Sequence, residues 1–258
     1  MLAPNTAHAQ RLGATTDGYT YALRVTASAT DAGGKRSDEP PIVAQARVSG
    51  DGGRIDILQG DGQYFRTGNF VVTPDAGRTV FIVDPTRRAY SRESSETKVR
   101  QEMRDKKINA VITNLTIRTD SLGPCDSVDG HPTVCVDVVK RYDVTVKFFF
   151  FTHRGTITES IRYWVATDLP GLTNAVAAYV VGQSFIVIDD NDPALIVRAR
   201  RLDADWRSAP VVRMRYTATE LTGGKTSSQH SLVEVSNVQH AALDPSIFEL
   251  PASFRSRP

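Results

Sequence analysis

Covalent, metal or phosphate chemistry in this 258-residue chain would have to come from two cysteines, five histidines, a glycine-rich turn and one acidic run. Cys125 and Cys135 are ten positions apart around Ser127-Val128-Asp129-Gly130-His131-Pro132, and the Asp-Gly pair favours a tight hairpin turn. This spacing predicts a disulfide at the hairpin base, with free thiols as the alternative. A zinc site would want about two to four residues between its cysteines and two further ligands. His8, His131, His153, His230 and His240 fall near a terminus or in turns and strands, without metal-ligand spacing. There is no Gly-x-Ser-x-Gly elbow and no local sign of a Cys/His nucleophile pair. Gly223-Gly224-Lys225-Thr226 ends like a phosphate loop, but Thr219 stands at the first glycine position and the segment joins two strand patterns. Asp189-Asp190-Asn191-Asp192 lacks the alternation and closing Glu of a calcium loop and reads as a loop ending in a helix cap. The expectation is a protein with no catalytic residue, no metal and no cofactor, whose function is binding.

The elements that position these residues are mostly strands. Val (27) and Thr (25) are abundant, and their stiff χ1 suits a pleated sheet. Tyr19, Tyr21, Leu23, Val25 and Ala27 share one parity while Thr20, Arg24, Thr26 and Ser28 take the other, which predicts a half-buried strand. Further strand patterns at about 42–48, 53–59, 68–73 and 79–84 are separated by Gly- and Asp-rich turns and read as a meander. The longest pattern runs from 133 to 151, with Val134, Val136, Val138, Tyr142, Val144, Val146, Phe148 and Phe150 on one parity and only Lys140 interrupting them. At about 3.3 Å per residue it would span about 60 Å, so a bend or bulge near Lys140 is expected. A turn at His153-Arg154-Gly155 then leads into Ile157, Ile161, Tyr163 and Val165. Val212, Met214, Tyr216 and Ala218 begin another strand, and Gly223-Gly224 turns into the last long one. The dry faces are expected to look into one concavity. Helices are predicted over 95–109, over 174–184 and from Asp192-Pro193, the last with Leu195, Ala199 and Leu202 on one face.

A net charge of +2 leaves no basic arm for nucleic acid, and 18 Gly with 13 Pro exclude collagen and low-complexity disorder. Residues 169–188 carry no charge between Asp168 and Asp189. Pro170, Gly171, Asn174, Gly182, Gln183 and Ser184 argue against a transmembrane span there. A buried helix with a following strand, or an apolar lid, are the remaining readings. In the lid reading Val176, Tyr179, Val180 and Phe185 line a cavity opposite Tyr142, Val144, Val146, Phe148 and Phe150. Four consecutive phenylalanines, Phe148 to Phe151, would place two rings on each face of a strand. Ala7-His8-Ala9 before Gln10 has the small-x-small form of a signal-peptidase site. The expectation is a periplasmic or secreted protein, with residues 1–10 a signal remnant or tail and 11–258 a single domain.

Three segments carry a family resemblance. Val80-Phe81-Ile82-Val83-Asp84-Pro85-Thr86-Arg87-Arg88-Ala89-Tyr90 resembles the "IDP-x-K/R-x-Y" hairpin of the DUF4412-type bacterial envelope proteins, which are related in architecture to the LolA/LolB lipoprotein carriers. Tyr163-Trp164-Val165-Ala166-Thr167-Asp168-Leu169-Pro170 is similar to that group's "WVS-x-DLP". Residues 243–254 are similar to its closing "P-x-x-F-x-x-P-A-G-Y", with Ser253 in place of Gly and Phe254 in place of Tyr. The resemblance implies an unclosed antiparallel β half-barrel covered by helices, whose concave face holds acyl chains in relatives. The combined expectation is a mainly β fold with a few helices (α+β), one curved sheet and an apolar ligand, lipid or acyl chain as partner. An envelope scaffold that binds another envelope protein and no small ligand is the alternative.

Overall fold

The computed structural model describes residues 15–61, 65–77, 79–93, 108–173 and 208–257, together with Ala194, Val197, Arg201, Leu202, Asp205 and Trp206. Its strands are β1 (Thr16–Thr30), β2 (Arg36–Asp38), β3 (Ile42–Ser49), β4 (Gly52–Gln59), β5 (Phe70–Thr73), β6 (Val80–Asp84) and β7 (Ala89–Glu93), then β8 (Ile108–Val128), β9 (His131–Phe148), β10 (Phe151–Ala166), β11 (Val211–Thr222), β12 (Lys225–Leu243) and β13 (Arg255–Ser256). All belong to one sheet in the order β13-β7-β6-β5-β4-β3-β1-β12-β11-β10-β9-β8, with β2 beside β1. Every pair is antiparallel except β13 with β7, and the sheet is unclosed.

The expected α+β class narrows to a nearly all-β one. Among the described residues no helix reaches seven residues. What is helical is a 3-10 turn at Pro245–Phe248, capped by the Asp244 carboxylate on the Ser246 N–H, and positions at Ala194, Val197, 201–202, 205–206 and Ser208. The helix expected over 95–109 ends in strand instead, since 108 and 109 belong to β8, where alternating Val, Ile and Thr favour a pleat. Residues 95–107 and the expected 174–184 helix lie outside the described residues.

The long strand pattern becomes β9, which pairs with β10 without a break from Phe148↔Phe151 to Thr133↔Ala166. The irregularity expected near Lys140 lies on the other flank, in β8, where register shifts between Thr113 and Thr116 and Asn114 takes φ 57°. The turn is not at 153–155: Phe149 and Phe150 make it, and β10 already begins at Phe151. Gly155 marks a close approach instead of a turn, because a Cβ there would lie 2.6 Å from Thr222 Oγ1 and 2.8 Å from Glu220 Oε1 on β11.

Cross-strand register places Val25, Val233, Met214 and Tyr163 on one side of the sheet, as the dry-face pattern requires. The core is nevertheless divided. Tyr21, Leu23, Val25, Val212 and Val233 pack with Ala44, Ala46, Ile55 and Val71, whereas Val138, Tyr142, Ile161, Tyr163 and Tyr216 pack with Ile112, Leu115 and Ile117. Met214 touches both groups. On β9 and β10 the two groups take opposite parities, with Cys135, Trp164 and Ala166 in the first and Val138, Ile161 and Tyr163 in the second, so one dry face does not make one focus. A third cluster, Phe70, Val72, Val83, Leu243 and Phe248, lies on the opposite parity of β5 and β6, so β5 is buried on both faces.

Candidate functional site

The β8–β11 face contains the buried polar group most in need of explanation. The β9–β10 register sets Lys140 opposite Glu159 in the middle of an otherwise apolar parity. Lys140 Nζ lies 3.5 Å from Glu159 Oε2, and the Tyr142 hydroxyl donates to Glu159 Oε1 at 3.0 Å. Glu159 is 3% exposed. Burial first, and then the Glu159 charge and its hydrogen bond, push the Tyr142 hydroxyl far above its ordinary range, so it remains a donor. Lys140 is thus the cation that interrupts the dry pattern, and a paired acid accommodates it.

Over this face Trp206 stacks on Tyr163, with ring centroids 4.2 Å apart and planes inclined by 12°, and Leu202 and Ala209 pack beside it. The Trp206 indole Nε1 is buried with no hydrogen-bond partner among the described residues. A buried N–H without an acceptor is uncommon and costly in a folded interior.

The proposed lining residues divide by position along β9. Tyr142 is buried in the cluster with Val138, Ile161 and Tyr216. Val144 and Val146 continue the same parity half-buried. Phe148 pairs with Phe151, and its side chain lies outside the described residues. Phe150 is 98% exposed at the turn, away from that cluster. Val176, Tyr179, Val180 and Phe185 lie outside the described residues. The start of their uncharged segment is anchored to β1: Tyr19 donates to the Pro170 carbonyl at 2.7 Å and Tyr21 to that of Thr173 at 3.5 Å, while Leu169 and Leu172 enter the first core cluster. Burial pushes the Tyr21 hydroxyl well above its usual range.

Cys125 and Cys135 are joined across the β8–β9 hairpin, with Cα atoms 5.7 Å apart. Asp129 and Gly130, at φ 51° and 84°, make the two-residue turn that their types favour. This tip is held from outside as well. Asp129 Oδ2 accepts from the Asn237 N–H of β12 at 2.5 Å, the Pro132 carbonyl from the Thr167 N–H at 3.0 Å, and His131 Nδ1 lies 3.0 Å from Asp168 Oδ2. His153 pairs with Glu220 near the opposite end of β9. Among the described residues no serine hydroxyl bonds to either of these two rings, and no group of three His, Cys, Asp or Glu side chains is placed to hold a metal.

On the face of β10 opposite Tyr163, Trp164 belongs to the first core cluster and lies among Arg162, Arg213 and Arg215, whose guanidinium carbons are 5.9, 5.7 and 5.5 Å from its ring centroid. Arg162 grips Asp137 with two bonds of 2.7 and 2.8 Å, which hold that carboxyl below its usual range despite partial burial. Arg213 pairs with Glu234 at 3.1 Å.

Sequence reasoning missed Glu159 and Trp206, although a signal existed for each. Glu159 shares the parity of Ile157 and Ile161, and a lone Lys on a dry face calls for an acid on the neighbouring strand. Placing the turn at 153–155 moved the register and hid that partner. Trp206 extends the Leu195, Ala199, Leu202 face by a further helical step.

Two of the three family-like segments meet in the third core cluster, where Val83, Phe81 and Tyr90 pack near Leu243, Ile247, Phe248 and Phe254. Asp84 is tied there by Arg257 at 2.7 Å, by Thr86 and by the Arg87 N–H. Burial raises its pKa, but these donors together outweigh it and bring the carboxyl to about 2. No protein-family model matches the chain and no curated protein matches it in sequence, so the likeness to lipoprotein carriers rests on the three short segments alone.

Proposed function

We propose that this chain is a non-enzymatic binding protein of the bacterial periplasm or the secreted space. It holds an acyl chain or comparable apolar ligand between the β8–β11 face and a helical cover, in a half-barrel arrangement. The observation that carries the reading is the Trp206 indole, stacked over the apolar face with its buried N–H unpaired among the described residues. A ligand carboxyl or ester oxygen would satisfy that donor while its chain lies along Val138, Ile161 and Tyr216. The Cys125–Cys135 disulfide fits an oxidising compartment.

The test is native mass spectrometry of the purified protein before and after solvent extraction, followed by titration with a fluorescent fatty acid. Trp206→Phe keeps a ring for stacking but removes the donor. The expected result is co-purifying lipid, saturable probe binding, and about tenfold weaker binding in the variant, the factor that corresponds to about 1.4 kcal/mol for one lost hydrogen bond. A scaffold that binds an envelope protein is the second reading. It is favoured by how completely Ile112, Val138 and Tyr142 are already buried. No probe binding and no extracted lipid would make it the better one.

A further inference from the structure

The β9–β10 hairpin ends in three exposed aromatic side chains. Phe149, Phe150 and Phe151 are 68%, 98% and 76% exposed at its tip. Phe149 sits at φ 49°, a left-handed conformation that a bulky residue adopts at an energetic cost and that Gly or Asn would take more easily. A ring kept at such a position points to a role other than stability.

On its β11 flank the tip also extends past its neighbour, while on the other flank Ile108 of β8 pairs with Phe148 and reaches the same level. Gly155 lies at the level of Thr222, where the neighbouring β11–β12 hairpin turns through Gly223 and Gly224. From there β10 continues to Phe151, four residues or about 13 Å further at about 3.3 Å each. The exposed charges on the two hairpins are mostly basic, with Glu220 paired to His153. Lys147, Arg154 and Lys225 are exposed on the two hairpins, and residues 144–155 contain no Asp or Glu. Leu221, 51% exposed, adds an apolar side chain behind the tip.

An exposed aromatic apex with cations behind it matches a lipid surface better than a protein groove. Aromatic side chains favour the interfacial zone, apolar surface there sinks about 5–10 Å, and cations behind it meet anionic headgroups. We propose that the Phe149-Phe150-Phe151 tip enters the interface of an anionic bilayer, with Lys147, Arg154 and Lys225 at the level of its phosphates. This goes beyond the apolar-ligand reading and does not depend on it.

The test is co-flotation of the full chain with vesicles of phosphatidylglycerol and phosphatidylcholine, and with phosphatidylcholine alone. Binding is expected to the anionic vesicles, at least tenfold stronger than to the neutral ones and weakened by salt. Phe150→Ser with Phe151→Ser should reduce it at least tenfold, and Lys147→Glu with Arg154→Glu should reduce it comparably, each with unchanged circular dichroism. A Phe150→Trp variant should gain fluorescence quenching by brominated lipid relative to the unmodified chain. Absence of flotation at low salt overturns the proposal, as does flotation that the double serine variant retains. Concentration-dependent self-association in the ultracentrifuge, lost in that same variant, would assign the tip to a second copy of the chain and also overturn it. Fatty-acid titration of the serine variant separates the two readings, because tip failure leaves probe binding intact.

Discussion

At its N-terminal end β9 is joined to β8 by a disulfide and bonded to β12 and to the chain after β10, while its C-terminal end leads into three exposed rings. Both ends are two-residue turns on one strand, so length and pairing cannot account for the contrast. The Asp129-Gly130 turn has residue types that suit its positive φ angles; the Phe149-Phe150 turn has one that opposes it. Where local preference, cross-links and packing agree, the chain is built for stability. The Phe149-Phe150 turn departs from that agreement, and its rings face solvent.

The largest effect should come from the middle of the strand, which keeps both ends in register. Glu159→Ala leaves Lys140 without its buried partner and Tyr142 without its acceptor, and should lower the unfolding free energy by about 3 kcal/mol in urea titration. Lys140→Met combined with Glu159→Leu should recover most of that loss, because an apolar pair suits the face. A double variant as unstable as the single one would show that the charges themselves are needed.

Next comes the stapled end. Cys125→Ser with Cys135→Ser should cost about 2–3 kcal/mol on the chain-entropy account of a ten-residue loop. Hydrogen exchange should quicken around 123–136 and stay unchanged around 145–155. Equal quickening at both ends would erase the difference between them.

A smaller loss is expected on acidification, remote from both ends. Asp84 is held at about 2, below its unfolded value of about 3.9, so its contribution is present above about pH 4 and fades as pH falls towards 2. Arg257→Ala removes one of its donors and should flatten the acid limb of the stability curve. The disulfide and the phenylalanine tip should leave that limb unaltered.

The smallest effects belong to the exposed end. Phe150→Ser should change stability by less than about 0.5 kcal/mol. Phe149→Asn should raise it by about 0.5–1 kcal/mol as the left-handed strain is relieved. Thermal denaturation would measure both, and a clear loss in either would mean that the tip contributes to the fold.

Alternation alone determined most of the strands, because a half-buried pleat imposes a period of two on side-chain type: 42–48 became β3, 79–84 became β6, and the Asp129-Gly130 and Gly223-Gly224 turns fell where expected. The disulfide was equally legible, since two cysteines flanking a tight turn come within bonding distance by local geometry. Register was not. Gly155 has the composition of a turn but serves a close approach to β11, and only assembled strands reveal that the turn is made by Phe149 and Phe150. With that shift Lys140 gains Glu159, Phe150 leaves the interior, and the candidate site acquires a polar centre. The division of the core into two clusters likewise belongs to tertiary structure, because only the assembled sheet brings Cys135, Trp164 and Ala166 to Tyr21 and Leu23 while Val138, Ile161 and Tyr163 join a different group.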